Sequence, residues 1–221
     1  MKRRVAGRRQ RGQSVIETCV VMAVFGTFLL GIFQMILFYR AKSLVDYAAL
    51  EAARNGATHG VEMNAMRVGL ARGLLPLYTT EASKTALIDA YAKAYADTIN
   101  PLASQIQVVS PTKAAFADWK VRQFDGVDAI PNDSLPYRST STGGRSGLTV
   151  QDANVLKIRV VYGYKMIVPV IDKIILSVYR LAFYQGMSAQ EVAMLESGRL
   201  PIATQAMVRM QTPIRDSGLL P

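Results

Sequence analysis

From Thr18 to Tyr39 the chain runs through 22 uncharged, mostly apolar residues. A helix rises about 1.5 Å per residue, so this segment reaches roughly 33 Å, enough to cross a hydrocarbon core of about 30 Å. A secretory signal has an apolar region of only about 7 to 15 residues, closed by a small-x-small cleavage site. Here the run ends in Phe38-Tyr39-Arg40-Ala41-Lys42. Cys19 stands at the start of the run rather than behind it, which argues against a lipoprotein signal. The segment reads as a membrane span.

Basic residues set its orientation. Lys2, Arg3, Arg4, Arg8, Arg9 and Arg11 precede the run, and only Arg40, Lys42 and Arg54 follow it within a comparable distance. The positive-inside rule places the amino terminus in the cytoplasm and everything after Tyr39 outside. The formal charge of +10 is then mostly topological, because the six leader charges account for more than half of it. The remaining chain has no Lys/Arg cluster long enough to suggest nucleic-acid binding. The one cysteine lies inside the span, so the exported part holds together without an intramolecular disulfide. With about 180 residues beyond the membrane, that part is long enough for one domain with its own core.

The helical pattern continues past the membrane, since no proline interrupts Arg40 to Leu75 before Pro76. The spacing predicts one long helix with a break near Gly56 to Gly60. Ala48, Ala52, Gly56 and Gly60 recur every fourth residue beside a second row, Val45, Ala49, Ala53 and Ala57. Such rows let another backbone approach closely. They suit packing on the protein's own sheet or on another molecule. A second helix is expected from Glu81 to Ile99, with Thr80 as N-cap, a core-facing stripe of Leu87, Tyr91, Tyr95 and Ile99, and Asn100-Pro101 as the stop.

The period then changes to two. Ile106 and Val108 alternate with Gln105 and Gln107; Ala117, Trp119 and Val121 with Asp118, Lys120 and Arg122; Leu156, Ile158 and Val160 with Lys157 and Arg159. Ile202, Thr204, Ala206, Val208 and Met210 close the chain in the same pattern. These are half-buried antiparallel strands. Residues 132–149 collect Pro, Ser, Thr and Gly and read as a long mobile loop. Ile171 to Tyr184 is apolar and aromatic, but Asp172, Lys173 and Arg180 interrupt it and it is too short to span. It fits a short amphipathic helix that covers the sheet or touches the membrane surface, with the core-covering role preferred. The fold class is therefore α+β: a long N-terminal membrane-spanning helix continuing into an exported domain with a second helix and an antiparallel sheet.

A catalytic role finds no residue set to carry it. The only histidine is His59, with neither a second His nor a Cys to share a metal or a triad, and no G-x-S-x-G motif occurs.

The entrance of the span carries a more specific pattern. A basic leader ends in Gly12, Glu17 follows at the fifth position as Gly12-Gln13-Ser14-Val15-Ile16-Glu17, and the span begins beside the glutamate. An Ala-rich helix, Asp46-Tyr47-Ala48-Ala49-Leu50-Glu51-Ala52-Ala53, follows just outside. In these features the chain resembles type IV pilin-like precursors, most closely the TadE-like pseudopilins of Tad (tight adherence, Flp pilus) systems. The resemblance covers roughly the first 60 residues.

It implies three parts: a leader over 1–12, a transmembrane helix over 13–39 and an exported periplasmic α+β domain over 40–221. It further implies that a prepilin peptidase cleaves after Gly12, leaving Gln13 as the new amino terminus. Glu17 would then meet the free amine of a neighbouring subunit and set axial register. A carboxylate at the edge of an apolar helix is costly enough to need such a partner. The implied partners are the peptidase, other pilins or pseudopilins, the inner-membrane assembly machinery and the membrane itself, with no cofactor and no nucleic acid. Tad major pilins carry tyrosine after the glutamate where this chain has Thr18, and they are short. Both differences favour a minor pseudopilin. A type II secretion pseudopilin uses the same signal, and an uncleaved single-span anchor for an exported binding domain is the reading in which the Gly12/Glu17 spacing is coincidental.

Overall fold

The computed structural model describes residues 13–215 and 218–221. Helix α1, Gln13–Thr58, is 46 residues long. Over residues 14–33 nearly every side chain is exposed, and the first fully buried one is Gln34. Only 6% of its most apolar window is buried within the protein. A core helix of a soluble protein would bury that surface, whereas this one fits a single-pass membrane anchor.

Beyond Gln34, α1 becomes the spine of the folded domain. The chain reverses after Thr58 through Gly60, whose φ of +64° suits a residue without Cβ. The Gly56 carbonyl accepts the Val61 N–H at 2.9 Å, closing the turn. Helix α2, Met63–Tyr78, then packs back along α1. Helix α3, Lys84–Ile99, packs on α2 and ends at Asn100, as the Asn-Pro pair predicts.

Strand β1, Ser104–Ser110, leads into a compact excursion. This comprises helix α4, Lys113–Trp119; strands β2, Val121–Arg122, and β3, Asp128–Ile130; and helix α5, Val150–Ala153. Strand β4, Val155–Lys165, then runs to helix α6, Ile171–Phe183, and helix α7, Ala189–Glu196. Strands β5, Arg199–Arg209, and β6, Ile214–Arg215, finish the chain.

The main sheet is antiparallel with order β1-β4-β5. Val160 stands opposite both Ile106 and Thr204. Its core face carries Leu156, Ile158, Val160, Ile202 and Ala206 and packs against α1. The alternate residues Lys157 and Arg159 point to the other face, where α7 docks by an ion pair from Arg159 to Glu191 at 2.7 Å. A smaller antiparallel sheet has order β2-β3-β6. The α+β class, the long apolar helix, its break beyond Gly56 and the strands at 106–108, 156–160 and 202–208 all appear as the periodicity predicts.

Five local expectations are corrected. The alternation at Ala117 and Trp119 is not strand: Thr112 caps a helix there by accepting the Ala115 N–H at 3.2 Å, and only Val121–Arg122 pairs. Three alternating residues suit one turn of helix as well as a strand, and the cap decides. The second helix begins at Ser83, not Thr80, because the Ser83 hydroxyl accepts the Ala86 N–H at 3.2 Å. Its buried row is Ala90, Ala94 and Thr98; Leu87 and Ile99 are exposed, and Tyr91 and Tyr95 lie at the margin. Pro76 does not stop α2 but occupies its last turn.

The fifth correction concerns α6. It does not cover the core, for Ile171 is its only buried residue. The loop over 132–149 is irregular, as its composition suggests, but it is tethered. Asp118 Oδ2 accepts the Arg145 and Ser146 N–H groups at 3.0 and 2.8 Å, and Trp119 Nε1 donates to the Leu148 carbonyl at 3.0 Å.

Candidate functional site

The residues singled out in the sequence fall into two groups along α1. Gly12 lies outside the described residues. Glu17 sits near the start of the helix and is exposed, among the exposed apolar side chains of Val15, Ile16, Val20 and Val21. It is the sole charged residue between Gln13 and Tyr39. Among the described residues no group hydrogen-bonds or ion-pairs with its carboxylate. The neighbouring Thr18 hydroxyl is already committed to the Ser14 carbonyl at 2.8 Å. Among the described residues Glu17 is thus an unpartnered carboxylate on an apolar cylinder, about 6 Å along the axis from Gln13.

The small-residue rows begin about 42 Å further along α1. Val45, Ala48, Ala49, Ala52, Ala53 and Ala57 are fully buried within this molecule. The partner is α2, with a matching pair of glycines at the same four-residue spacing. A Cβ on Gly73 would stand 2.3 Å from the Ala48 Cα, and one on Gly69 would stand 2.6 Å from the Glu51 carbonyl oxygen. Gly56 faces Met66 of α2 and Leu156 of β4. Gly60, expected to extend the row, lies beyond the helix end; its N–H donates to Thr212 Oγ1 at 2.9 Å. The Ala-rich segment therefore seats α2 and the sheet on α1.

Two features escaped the sequence reading. Gln34, inside the apolar run, is fully buried, and its Oε1 accepts the Val168 and Ile167 N–H groups at 2.9 and 3.3 Å. The connector after β4 is thereby pinned to α1. A lone amide in an apolar run was the available signal. The second feature is a cluster made by residues far apart in sequence. Arg199 grips Asp97 with both terminal nitrogens, at 3.1 and 3.2 Å, and also donates to the Gly163 carbonyl at 3.1 Å. The Tyr78 hydroxyl donates to Asp97 and lies 2.7 Å from the Tyr162 hydroxyl, which must then donate to it.

Burial is the main cause that pushes both phenols above their ordinary range, with the neighbouring phenol and Asp97 reinforcing it at Tyr78. At Tyr162 the Arg199 charge opposes that rise. These groups line a cleft of about 510 Å³ that also receives Arg40, Lys93 and Lys165. Because its donors and acceptors satisfy one another, the cluster locks α2, α3, β4 and β5 together. His59, the single histidine, rests at the end of α1 with Nδ1 2.9 Å from the Asn55 carbonyl, as a helix-end residue.

Neither a curated protein nor a solved structure matches the chain. Residues 12–54 match the family model described as TadE-like protein. That stretch takes in Gly12, Glu17, the whole apolar run and five of the eight residues of the small-residue rows, and over it the chain is similar to TadE-like proteins.

Proposed function

We propose that this chain is a minor pseudopilin that takes part in assembling a Tad (Flp) pilus and so in surface adhesion. The observation that carries the reading is the Glu17 carboxylate, unpartnered among the described residues, at the entrance of an unburied apolar helix within the matched segment 12–54. The precursor inserts with its basic leader in the cytoplasm and the folded domain in the periplasm. Prepilin peptidase cuts after Gly12, where a residue without Cβ lets the enzyme approach the backbone. The new amine of Gln13 on one subunit then pairs with Glu17 of a neighbour, and this pairing sets axial register in the inner membrane. The role is structural, and the partners are the peptidase, other pilins or pseudopilins and the assembly machinery.

The test is the amino-terminal peptide of the protein, recovered from cells with and without the peptidase and read by mass spectrometry. A chain beginning at Gln13 only when the peptidase is present supports the reading; one beginning at Met1 in both sinks it. A bulky residue at Gly12 should block cleavage. Glu17→Ala should leave cleavage intact and reduce piliation, and normal pili in that strain would remove the register argument. Co-purification with Tad pilins rather than with type II secretion components separates the two pilin-like settings.

A further inference from the structure

Helix α6 has no part in the reading above, and its position is unusual. Its first turn abuts the anchor: Ile171, Ile174 and Ile175 form an almost wholly apolar groove with Phe28, Ile32 and Met35 of α1. The connector before it is held at the level of Gln34, five residues inside the outer end of the apolar run at Tyr39. Five residues of helix correspond to about 8 Å. The start of α6 therefore lies beside a stretch of α1 that is itself in lipid if α1 spans the membrane.

The rest of α6 leads away with an apolar stripe that the described residues leave largely exposed. Ile174, Val178 and Leu181 follow one another at helical spacing and are 48%, 61% and 90% exposed. Val170 and Ile167 extend the same exposure into the connector. Lys173, Ser177, Arg180 and Tyr184 occupy a separate face, and the side turned to the protein is the half-buried Leu176 and Tyr179. The stripe is continuous with the lipid-facing surface of α1 through the shared groove, so one solvent serves both.

We propose that α6 is a membrane-surface helix. Ile174, Val178 and Leu181 enter the acyl region of the outer leaflet, and Lys173 and Arg180 stay at the level of the phospholipid phosphates. The occupant of the stripe is the bilayer that holds α1. Helices of this kind sit about 5 to 10 Å into the boundary, and Phe28, on the groove that α6 shares with α1, lies about 8 Å along the helix inside Phe33. Arg40 and Lys165, on the cleft at the same end of the domain, add cations at that level. The domain is thereby held against the membrane at two points, and a subunit leaving for a filament must withdraw α6 as well as α1.

This inference rests on α1 being a membrane anchor, and the experiment separates the two. The full chain is reconstituted in vesicles of phosphatidylethanolamine and phosphatidylglycerol, with one nitroxide label per sample. The label sits on native Cys19, or, in a Cys19→Ser background, on Val178→Cys, Leu181→Cys, Lys173→Cys or Tyr137→Cys. All five positions are exposed, so labelling disturbs no packing. Collision with oxygen reports lipid, and collision with a water-soluble nickel chelate reports water. Labels at 178 and 181 should favour oxygen severalfold, as at 19, while those at 173 and 137 favour the chelate. If 178 and 181 behave like 137 while 19 stays in lipid, α6 is not at the membrane and the anchor reading stands. If 19 itself is open to the chelate, both fall.

Discussion

Replacing Gly73 with alanine adds one methyl group where α2 crosses α1, and it should destabilise the folded domain by about 2 kcal/mol. The added Cβ would lie 2.3 Å from the Ala48 Cα and 2.6 Å from its Cβ. Carbon atoms rest about 3.5 to 4.0 Å apart, so the two helices would have to separate by roughly 1 Å or more. The obstacle is backbone on a helix whose facing residues Ala48, Ala49 and Ala52 are fully buried, and no rotamer change relieves it. Overpacking of this sort costs about 1 to 3 kcal/mol, and a backbone obstacle places it at the upper end. Alanine recovers about 1 kcal/mol of helix propensity over glycine, leaving the stated net loss.

Gly56→Ala provides the contrast. There the added atom meets Met66 Cγ at 2.8 Å and Leu156 Cδ2 at 3.0 Å, both side-chain atoms. Methionine has rotatable bonds that can yield, so the propensity gain and the packing cost should nearly cancel. The assay is urea unfolding of the full chain in detergent micelles, followed by pulse proteolysis and by Trp119 fluorescence. With a slope of about 2 kcal/mol per molar urea, Gly73→Ala should lower the midpoint by about 1 M and Gly56→Ala should hardly move it. Equal shifts in the two variants, or no loss in Gly73→Ala, would refute the close-contact argument.

Two pH dependences follow from the described ion pairs and phenols. Tyr78 and Tyr162 are raised from the ordinary 10.0, so the native state keeps protons that the unfolded chain loses; their stabilisation is complete below pH 10 and declines as pH rises beyond it. Absorbance at 295 nm should show these phenols ionising only as the domain unfolds, and free ionisation of all 10 tyrosines in a folded chain would contradict the cluster. At Glu191 burial opposes ionisation, but the Ser188 N–H and hydroxyl together with Arg159 outweigh it and hold the pKa below the ordinary 4.5. Its contribution is therefore present above pH 4.5 and lost as pH falls through the lowered value. Glu191→Gln should flatten the acid limb of a stability profile measured between neutral pH and pH 3, and an unchanged slope would place the acid sensitivity elsewhere.

What could be read in the sequence depended on how many residues carried each signal. The apolar run, the Ala-rich rows and the strands around Ile106, Ile158 and Thr204 each repeat over several turns or pleats, and the fold keeps them. The alternation at Ala117 and Trp119 was too short to separate strand from helix, and Thr112 settled it locally. The grip of Arg199 on Asp97 joins residues 102 apart, so no local pattern announces it. Gly69 and Gly73 stood in plain view at the spacing that pairs with Ala48 and Ala52, but a row of small residues does not name its partner. Chain reversal at Gly60 does, by laying α2 back along α1.

Gln34 shows why hydropathy misplaces the outer end of the anchor. The apolar run extends to Tyr39, but residues 34–39 are apolar for a second reason: Leu37 and Phe38 are half-buried against the domain, and the Phe38 ring meets Tyr164 edge-on at 6.3 Å. Lipid and protein interior ask for the same side chains, so composition cannot say where one gives way to the other. A buried amide can, because in hydrocarbon it would have no partner, and here it takes two backbone N–H groups from the β4–α6 connector. The stretch of α1 before it, from Ser14 to Phe33, measures about 30 Å, the thickness of a hydrocarbon core. Under the anchor reading, residues 34–39 belong with the folded domain at the outer boundary, on the same level as the first turn of α6. Helix α6 is then short and amphipathic because it starts at that boundary and runs along it.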